Sequence, residues 1–144
     1  APQNIDYVII DTPPTPSMWM TSALIASDHY VIPVRPDPLS MIGIDLLRSI
    51  IERRRKTYGL KISGLGVVFT MVERPDSIIF SNAKSNLAGN VHWKDKVFKS
   101  YIPKRSDLAK KQLEQPFIML MEDYDLRVNL RGLVTEILEK INGN

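Results

Sequence analysis

The residue with the clearest chemical potential is Asp11, which ends a short apolar run, Val8 to Ile10, and is followed by Pro13 and Pro14. A continuous run of β-branched residues predicts a strand that is buried on both faces, as in a parallel sheet. Because proline cannot continue a strand ladder, we expect this strand to end at Asp11. The carboxylate would then lie where open α/β sheets bind their ligands and where it can hold Mg²⁺ beside a phosphate group. The alternative is an acid that only caps the next turn.

The composition leaves several other kinds of chemistry without support. The chain has no cysteine, so neither a disulfide framework nor a thiolate metal site is available. His29 and His92 are far apart and lack acidic neighbours at metal-ligand spacing. No Gly-x-Ser-x-Gly motif is present, and no apolar run approaches the roughly 18 residues of a membrane span. We therefore expect a cytoplasmic protein that does not use a membrane as a partner.

Strand-like and helix-like patterns alternate along the chain and predict the scaffold that positions Asp11. Besides the run before Asp11, apolar segments predict strands at 29–34, 62–71 and 97–102. Capping residues and apolar spacing predict helices at about 15–27, 39–57, 77–87, 106–115 and 122–141. This alternation predicts an α/β fold with a doubly wound, mainly parallel sheet and flanking helices. At 144 residues, we expect residues 1–144 to form a single α/β domain.

Several segments, in the same order, resemble the ParA/MinD family of ATPases, which carry a deviant Walker A motif. Asp6 to Pro14 resembles the Walker B and switch II segment of that family. The resemblance covers nearly the whole chain and points in particular to plasmid and chromosome partition ATPases. The other matching segments are Ala23–Asp28, Val31–Pro36, Gly64–Met71 and Ile102–Lys104.

The resemblance implies a nucleotide site that is shared between distant parts of the chain. Asp11 would bind Mg²⁺, and the two prolines that follow it would shape switch II. Thr70, Met71 and Pro103 would frame the adenine of ATP. The alternatives are a plain strand stop for the prolines and ordinary packing at strand ends for the other three residues.

One part of the family pattern has no counterpart in this sequence. These ATPases carry a glycine-rich P-loop with two lysines, whose backbone N–H groups cradle the phosphates. This chain contains no Gly-x-x-x-x-Gly-Lys-Ser/Thr motif, and its seven glycines are scattered. The resemblance is therefore to the C-terminal portion of such an ATPase, with a partial P-loop NTPase-like fold. We assign no catalytic residue within this chain and expect negligible ATPase activity from it alone, whereas the intact parent would be an ATPase.

The same resemblance predicts that the sheet lacks a strand. In this family the P-loop strand lies between the Walker B strand and the strand that follows it. Without that neighbour, both strands would present unpaired backbone groups. We expect the chain to pair with a missing segment, to dimerise by strand exchange, or to rearrange.

The densest basic run is Arg53, Arg54, Arg55 and Lys56, on the second predicted helix. A formal net charge of +3 permits contact with nucleic acid without requiring it. In a ParA-like protein this run would touch DNA phosphates without reading the base sequence. The alternative is a solvated helix face. A second, weaker candidate patch lies at 93–99.

The leading hypothesis from the sequence is part of a ParA-like ATPase for plasmid or chromosome partitioning. The intact protein would bind ATP and Mg²⁺, form a homodimer around two nucleotides and hold nonspecific DNA on the nucleoid. A ParB-like partner would then activate hydrolysis. One alternative is a non-catalytic interaction module with the same fold. Another is a ParA-family ATPase that positions a different cargo.

Overall fold

The structure is a computed structural model that describes residues 4–13, 15–106, 108, 110, 113 and 117–143. The predicted strands at 29–34, 62–71 and 97–102 are confirmed, as are four of the five predicted helices, with bounds that shift by at most three residues. The helix expected at 106–115 falls mostly outside the described residues. The elements are α1 (Met18–Ala26), β1 (His29–Val34), α2 (Pro38–Tyr58), β2 (Ser63–Val72), α3 (Ile78–Gly89), β3 (Val97–Pro103), a 3₁₀ turn (Ile118–Leu120) and α4 (Tyr124–Asn142).

Helices α1 to α4 begin at capping side chains that are visible in the sequence. Ser17, Asp37, Ser77 and Asp123 each accept the backbone N–H of the residue three positions further on, over 2.9–3.2 Å. Such bonds satisfy donors that have no partner inside the helix. The second helix ends at Gly59, whose φ of 62° is the left-handed conformation that glycine adopts at low cost. None of the helices in the described part of the chain is long and apolar enough to cross a membrane.

The sheet formed by the described residues has three parallel strands in the order β1-β2-β3. Helices α2 and α3 make the two crossovers between successive strands. At the carboxyl ends, Val34 lies opposite Phe69, and Val72 lies opposite Pro103. Because all three strands run in the same direction, the loops that follow them share one edge of the sheet. This is a partial α/β fold of the P-loop NTPase-like kind.

Helices cover both faces of the sheet and bury two separate apolar cores. On one face, Phe69 of β2 is 1% exposed and packs within a core to which α1, α2 and α3 contribute. On the other face, Leu133 and Ile137 of α4 pack with Val68 and Phe98. Burial on both faces is the physical reason that β2 reads as a nearly continuous apolar run.

The strand predicted before Asp11 is wrong for this structure. Residues 4–13 form neither strand nor helix, and the side chains of Val8 and Ile9 are 77% and 94% exposed. An apolar run becomes a strand only where a neighbour pairs its backbone N–H and C=O groups. Within the described residues, β1 pairs with β2 alone, and no strand lies on its other side. Asp11 consequently lies outside the sheet rather than at the end of a buried strand.

A carboxylate from α4 stabilises an irregular stretch of β3. Val67 lies opposite Val97 and Phe69 opposite Tyr101, so four steps along β3 match only two along β2. The backbone N–H groups of the intervening residues 99 and 100 instead donate to Glu136, over 2.8 and 2.7 Å. Partial burial alone would raise the pKa of the Glu136 carboxyl, but hydrogen bonds from residues 100 and 99 and the charge of a nearby lysine outweigh it, so the pKa is lowered.

We expect Glu136→Gln to lower the free energy of unfolding by about 1 kcal/mol at pH 7, because an amide replaces one of the two acceptor oxygens with a donor. A carboxyl whose pKa is lower in the folded chain stabilises the fold above its unfolded pKa. That stabilisation is lost as the pH falls through the folded pKa. The difference between the two proteins should therefore shrink in acid. Urea unfolding at pH 7 and pH 3 measures it, with the exposed Glu139→Gln as the control; a difference that grows in acid would contradict this account.

Candidate functional site

The carboxyl edge of the sheet brings together the three residues that were predicted to frame adenine. Thr70 and Met71 lie near the end of β2, and Pro103 ends β3 opposite Val72. The hydroxyl of Thr70 donates to the carbonyl oxygen of Val34 over 3.4 Å and thereby links the ends of β2 and β1. The parallel register accounts for this meeting, since residues distant in sequence arrive at the same edge.

Met71 has a strained backbone at this edge. Its φ of 56° makes it the only non-glycine residue with positive φ among the described residues. Such a conformation costs an L-residue about 1–2 kcal/mol. The strain coincides with the shift of register between Phe69 and Val72 on the β3 side. The Met71 side chain is 45% exposed, so a flexible, polarizable group is presented where ligands of α/β sheets bind.

Charged groups from the loops after the strands also meet at this edge. Lys104 forms a salt bridge with Glu73, and the backbone N–H of Lys104 donates to the carbonyl of Val72 over 2.8 Å. The hydrogen bond from Lys104, and then its charge, lower the pKa of Glu73, with smaller contributions from Arg35 and Arg74. The edge therefore carries several cations around an acid.

Arg105 joins the loop after β3 to the start of the last helix. Its Nε atom lies 2.6 Å from Oδ2 of Asp123, and it also bonds Asp125. These two partners, Asp123 first, raise the pKa of the Arg105 guanidinium. Asp123 is also the N-cap of α4, so one carboxylate fixes both the loop and the helix. Sequence reasoning missed these acids and Glu73, because partners 18 to 31 residues apart leave no local pattern.

Asp11 and Pro13, the described members of the remaining predicted ligand-binding set, lie outside the sheet. Asp11 and Pro13 are exposed in the irregular segment 4–13, and Pro14 lies outside the described residues. No cluster of three or more histidine, aspartate or glutamate side chains suited to a metal occurs in the described ranges. The edge presents an exposed methionine, Met71, and a buried proline, Pro103, and their contact with adenine stays a prediction. The edge does not fit the phosphates, since the sequence holds no P-loop. The Mg²⁺ role of Asp11 stays a prediction.

The four basic residues of α2 do not form a single face. Arg53 and Lys56 are exposed, whereas Arg54 and Arg55 are partly buried. Nη1 of Arg55 lies 2.9 Å from Oε1 of Glu52. Consecutive helical residues point about 100° apart, which explains the division. The part of the run that remains accessible to a polyanion is therefore Arg53 and Lys56, which are neighbours on the helix surface.

The parallel sheet with helices on both faces defines an α/β protein with a partial P-loop NTPase-like fold.

A family model described as an AAA domain matches residues 1–63. The chain is 28% identical to the sporulation initiation inhibitor protein Soj of Bacillus subtilis, over 99% of this chain and 54% of that protein. It is 33% identical to the chromosome partitioning protein ParA of Caulobacter vibrioides, over 68% of this chain and 36% of that protein.

A ParA family protein of Chlamydia trachomatis is 42% identical over 44% of this chain and 25% of its own length. The family-model match and these relatives support the ParA/MinD family for this chain. The chain spans about half of the length of Soj, with 54% of that protein covered. The family match includes the segment before Asp11, which the structure leaves outside the sheet.

Proposed function

We propose that this chain is part of a ParA-like ATPase that acts in chromosome or plasmid partitioning. The observation that carries the proposal is the meeting of Thr70, the strained Met71 and Pro103 at the carboxyl edge of the sheet. The similarity to Soj and ParA supports it. Nucleotide binding at such an edge is the general behaviour of open α/β sheets.

In the intact protein, the residues of this edge bind and orient the base of ATP. Met71 offers an apolar contact for one face of the base, and Pro103 provides a rigid wall that lacks an N–H group. The hydrogen bond from Thr70 to β1 keeps the two strand ends at a fixed separation. ATP supplies the phosphoryl group for hydrolysis, with phosphate cradling by a P-loop that this sequence does not contain.

Asp11 holds Mg²⁺ in this proposal once the segment before it joins the sheet. The exposed apolar side chains of that segment, including Val8 and Ile9, favour pairing with a further strand. The same strand would also cover the edge of β1 that has no neighbour among the described residues. That pairing would bring the carboxylate to the same carboxyl edge of the sheet, with the further strand lying between it and β1. Folding of the segment and assembly of the metal site are thus a single event.

The proposed partners follow from the family and from the basic residues of α2. The intact protein is a homodimer around two nucleotides, located in the cytoplasm on the nucleoid, and a ParB-like partner activates its hydrolysis. Arg53 and Lys56, both exposed and one helical turn apart, contact DNA phosphates without reading bases. Such contacts weaken steeply with salt.

The test compares the 144-residue chain with the protein extended through the coding sequence that precedes Ala1. The extended protein is expected to hydrolyse ATP in a Mg²⁺-dependent reaction. Asp11→Ala should lower its kcat by roughly 100-fold or more, because the metal that neutralises phosphate charge loses its ligand. The control is Asp95→Ala, an exposed acid in the turn before β3, which should leave kcat unchanged.

The 144-residue chain alone should show no turnover above background. Mg²⁺-dependent turnover by that chain, abolished by Asp11→Ala, would contradict the need for a separate phosphate-binding half. A start codon directly before Ala1 would mean that no P-loop precedes the chain. Binding of DNA or a partner protein without ATP would then favour the interaction module.

A further inference from the structure

A cavity of about 150 Å³ lies at the edge of the sheet opposite to the proposed nucleotide site. It is formed near the amino ends of β1 and β2, between α2 and the turn that precedes β3. The side chains that line it combine aromatic walls with charged groups. They are Tyr30, Arg48, Glu52, His92, Trp93 and Lys96.

The walls of this cavity are held in place by interactions within the chain. The indole Nε1–H of Trp93 donates to Oδ1 of Asp45 over 2.9 Å, and the side chain is buried. The N–H of Lys96 donates to the carbonyl of Trp93 over 2.8 Å, and the carbonyl of Lys96 accepts from the N–H of Val67 over 2.7 Å. The cavity is therefore preorganised by bonds that do not involve a ligand.

One charged group of the cavity, Arg48, has a hydrogen-bond donor without an acceptor. The Nε atom of Arg48, which lines the cavity, is buried and has no hydrogen-bond partner in the described part of the chain. The acid of the cavity, Glu52, accepts from Nη1 of Arg55 over 2.9 Å. Lys96 adds a cation at the exposed rim. A buried guanidinium donor without an acceptor is costly, and an oxyanion would remove that cost.

Tyr30 contributes a neutral donor to the same cavity. Burial, and then the charge of Glu52, raise the pKa of the Tyr30 phenol against the opposing effect of Arg55 and Arg48. The hydroxyl therefore stays protonated at neutral pH and can donate a hydrogen bond. A site with a guanidinium, an ammonium and a hydroxyl has the donors that tetrahedral oxyanions require.

We propose that this cavity binds a small phosphate-class oxyanion, with Arg48 and Lys96 as its charge partners and Tyr30 as a neutral donor. A volume of about 150 Å³ accommodates a phosphate group. It is smaller than the roughly 300–1,000 Å³ of pockets that enclose whole cofactors. The shared chemistry is a phosphate group, whether inorganic or part of a small monoester. This site is independent of the proposed ATPase function.

The experiment titrates inorganic phosphate into the chain at constant ionic strength and follows the indole N–H resonance of Trp93 by NMR. Trp19→Phe identifies that resonance, since the chain has two tryptophans. The expected result is a saturable shift of the Trp93 signal, with affinity at least about tenfold weaker in Arg48→Met. The control is Arg131→Met, which removes an exposed arginine of α4 outside the cavity lining and should bind phosphate as the parent does.

A second variant keeps the test decisive if Arg48→Met does not fold. Lys96→Met changes an exposed side chain at the rim and should also weaken phosphate binding, while circular dichroism shows the fold intact. Glycerol 3-phosphate that displaces inorganic phosphate identifies a monoester as the tighter ligand. Failure to displace it identifies inorganic phosphate. No saturable binding, equal affinities in Arg48→Met and Arg131→Met, or a Trp93 shift produced only by duplex DNA would overturn the proposal.

Discussion

Replacing Gly66 by alanine is expected to lower the free energy of unfolding by about 3 kcal/mol or more. Gly66 has φ of 140°, and a Cβ atom there would lie 2.0 Å from the carbonyl oxygen of Lys96. The obstructing atom belongs to the backbone, which cannot rotate away as a flexible side chain does. The variant would combine an unfavourable φ, at about 1–3 kcal/mol, with overpacking, at about 1–3 kcal/mol. It would also break the hydrogen bond from Val67 to Lys96 that fixes the start of β3.

The matched control is Gly43→Ala in α2. A Cβ atom at Gly43 would meet nothing within 4 Å, and the residue lies inside a helix. Alanine should stabilise the helix there by about 0.5–1 kcal/mol. Urea unfolding followed by circular dichroism measures both changes. If Gly66→Ala raised the free energy of unfolding, as Gly43→Ala should, the close approach at Gly66 would not be a constraint on the fold.

Phe69→Ala is expected to lower the free energy of unfolding by about 3–5 kcal/mol. Phe69 is 1% exposed in the central strand. Its ring meets that of Phe80 edge to face, with centroids 5.2 Å apart, and Phe80 meets Tyr101 in turn at 5.5 Å. Removal of the ring would leave a cavity between β2 and α3, directly before Thr70 in the chain. The edge proposed to hold adenine would lose its support along with the core.

Leu39→Ala is the control for this prediction, because its side chain is 80% exposed and the loss should stay within about 0.5 kcal/mol. A double-mutant cycle with Phe80→Ala should give a coupling of about 0.5–1.5 kcal/mol beyond simple burial. Equal losses for Phe69→Ala and Leu39→Ala would show that this aromatic cluster is not a core.

The local elements were predictable from the sequence because their causes are local. Ser17 and Asp37 cap helices through bonds that span three residues, and Gly59 ends α2 through its own φ. The apolar runs of β1 and β2 indicated burial on both faces, and alternation with helices indicated parallel strands. Parallel strands end at one edge, so the meeting of Thr70 with the end of β3 also followed from the pattern.

The tertiary structure decided what depends on partners distant in sequence. The run before Asp11 has the composition of a buried strand, yet it forms none, because a strand needs a neighbour for its backbone hydrogen bonds. The acceptor for residues 99 and 100 is Glu136, and the partner of Arg105 is Asp123; neither contact leaves a periodic signal. The cavity beside Arg48 joins three separate segments. Sequence pattern records each residue's own conformation and burial, whereas distant pairings are set only when the whole chain packs.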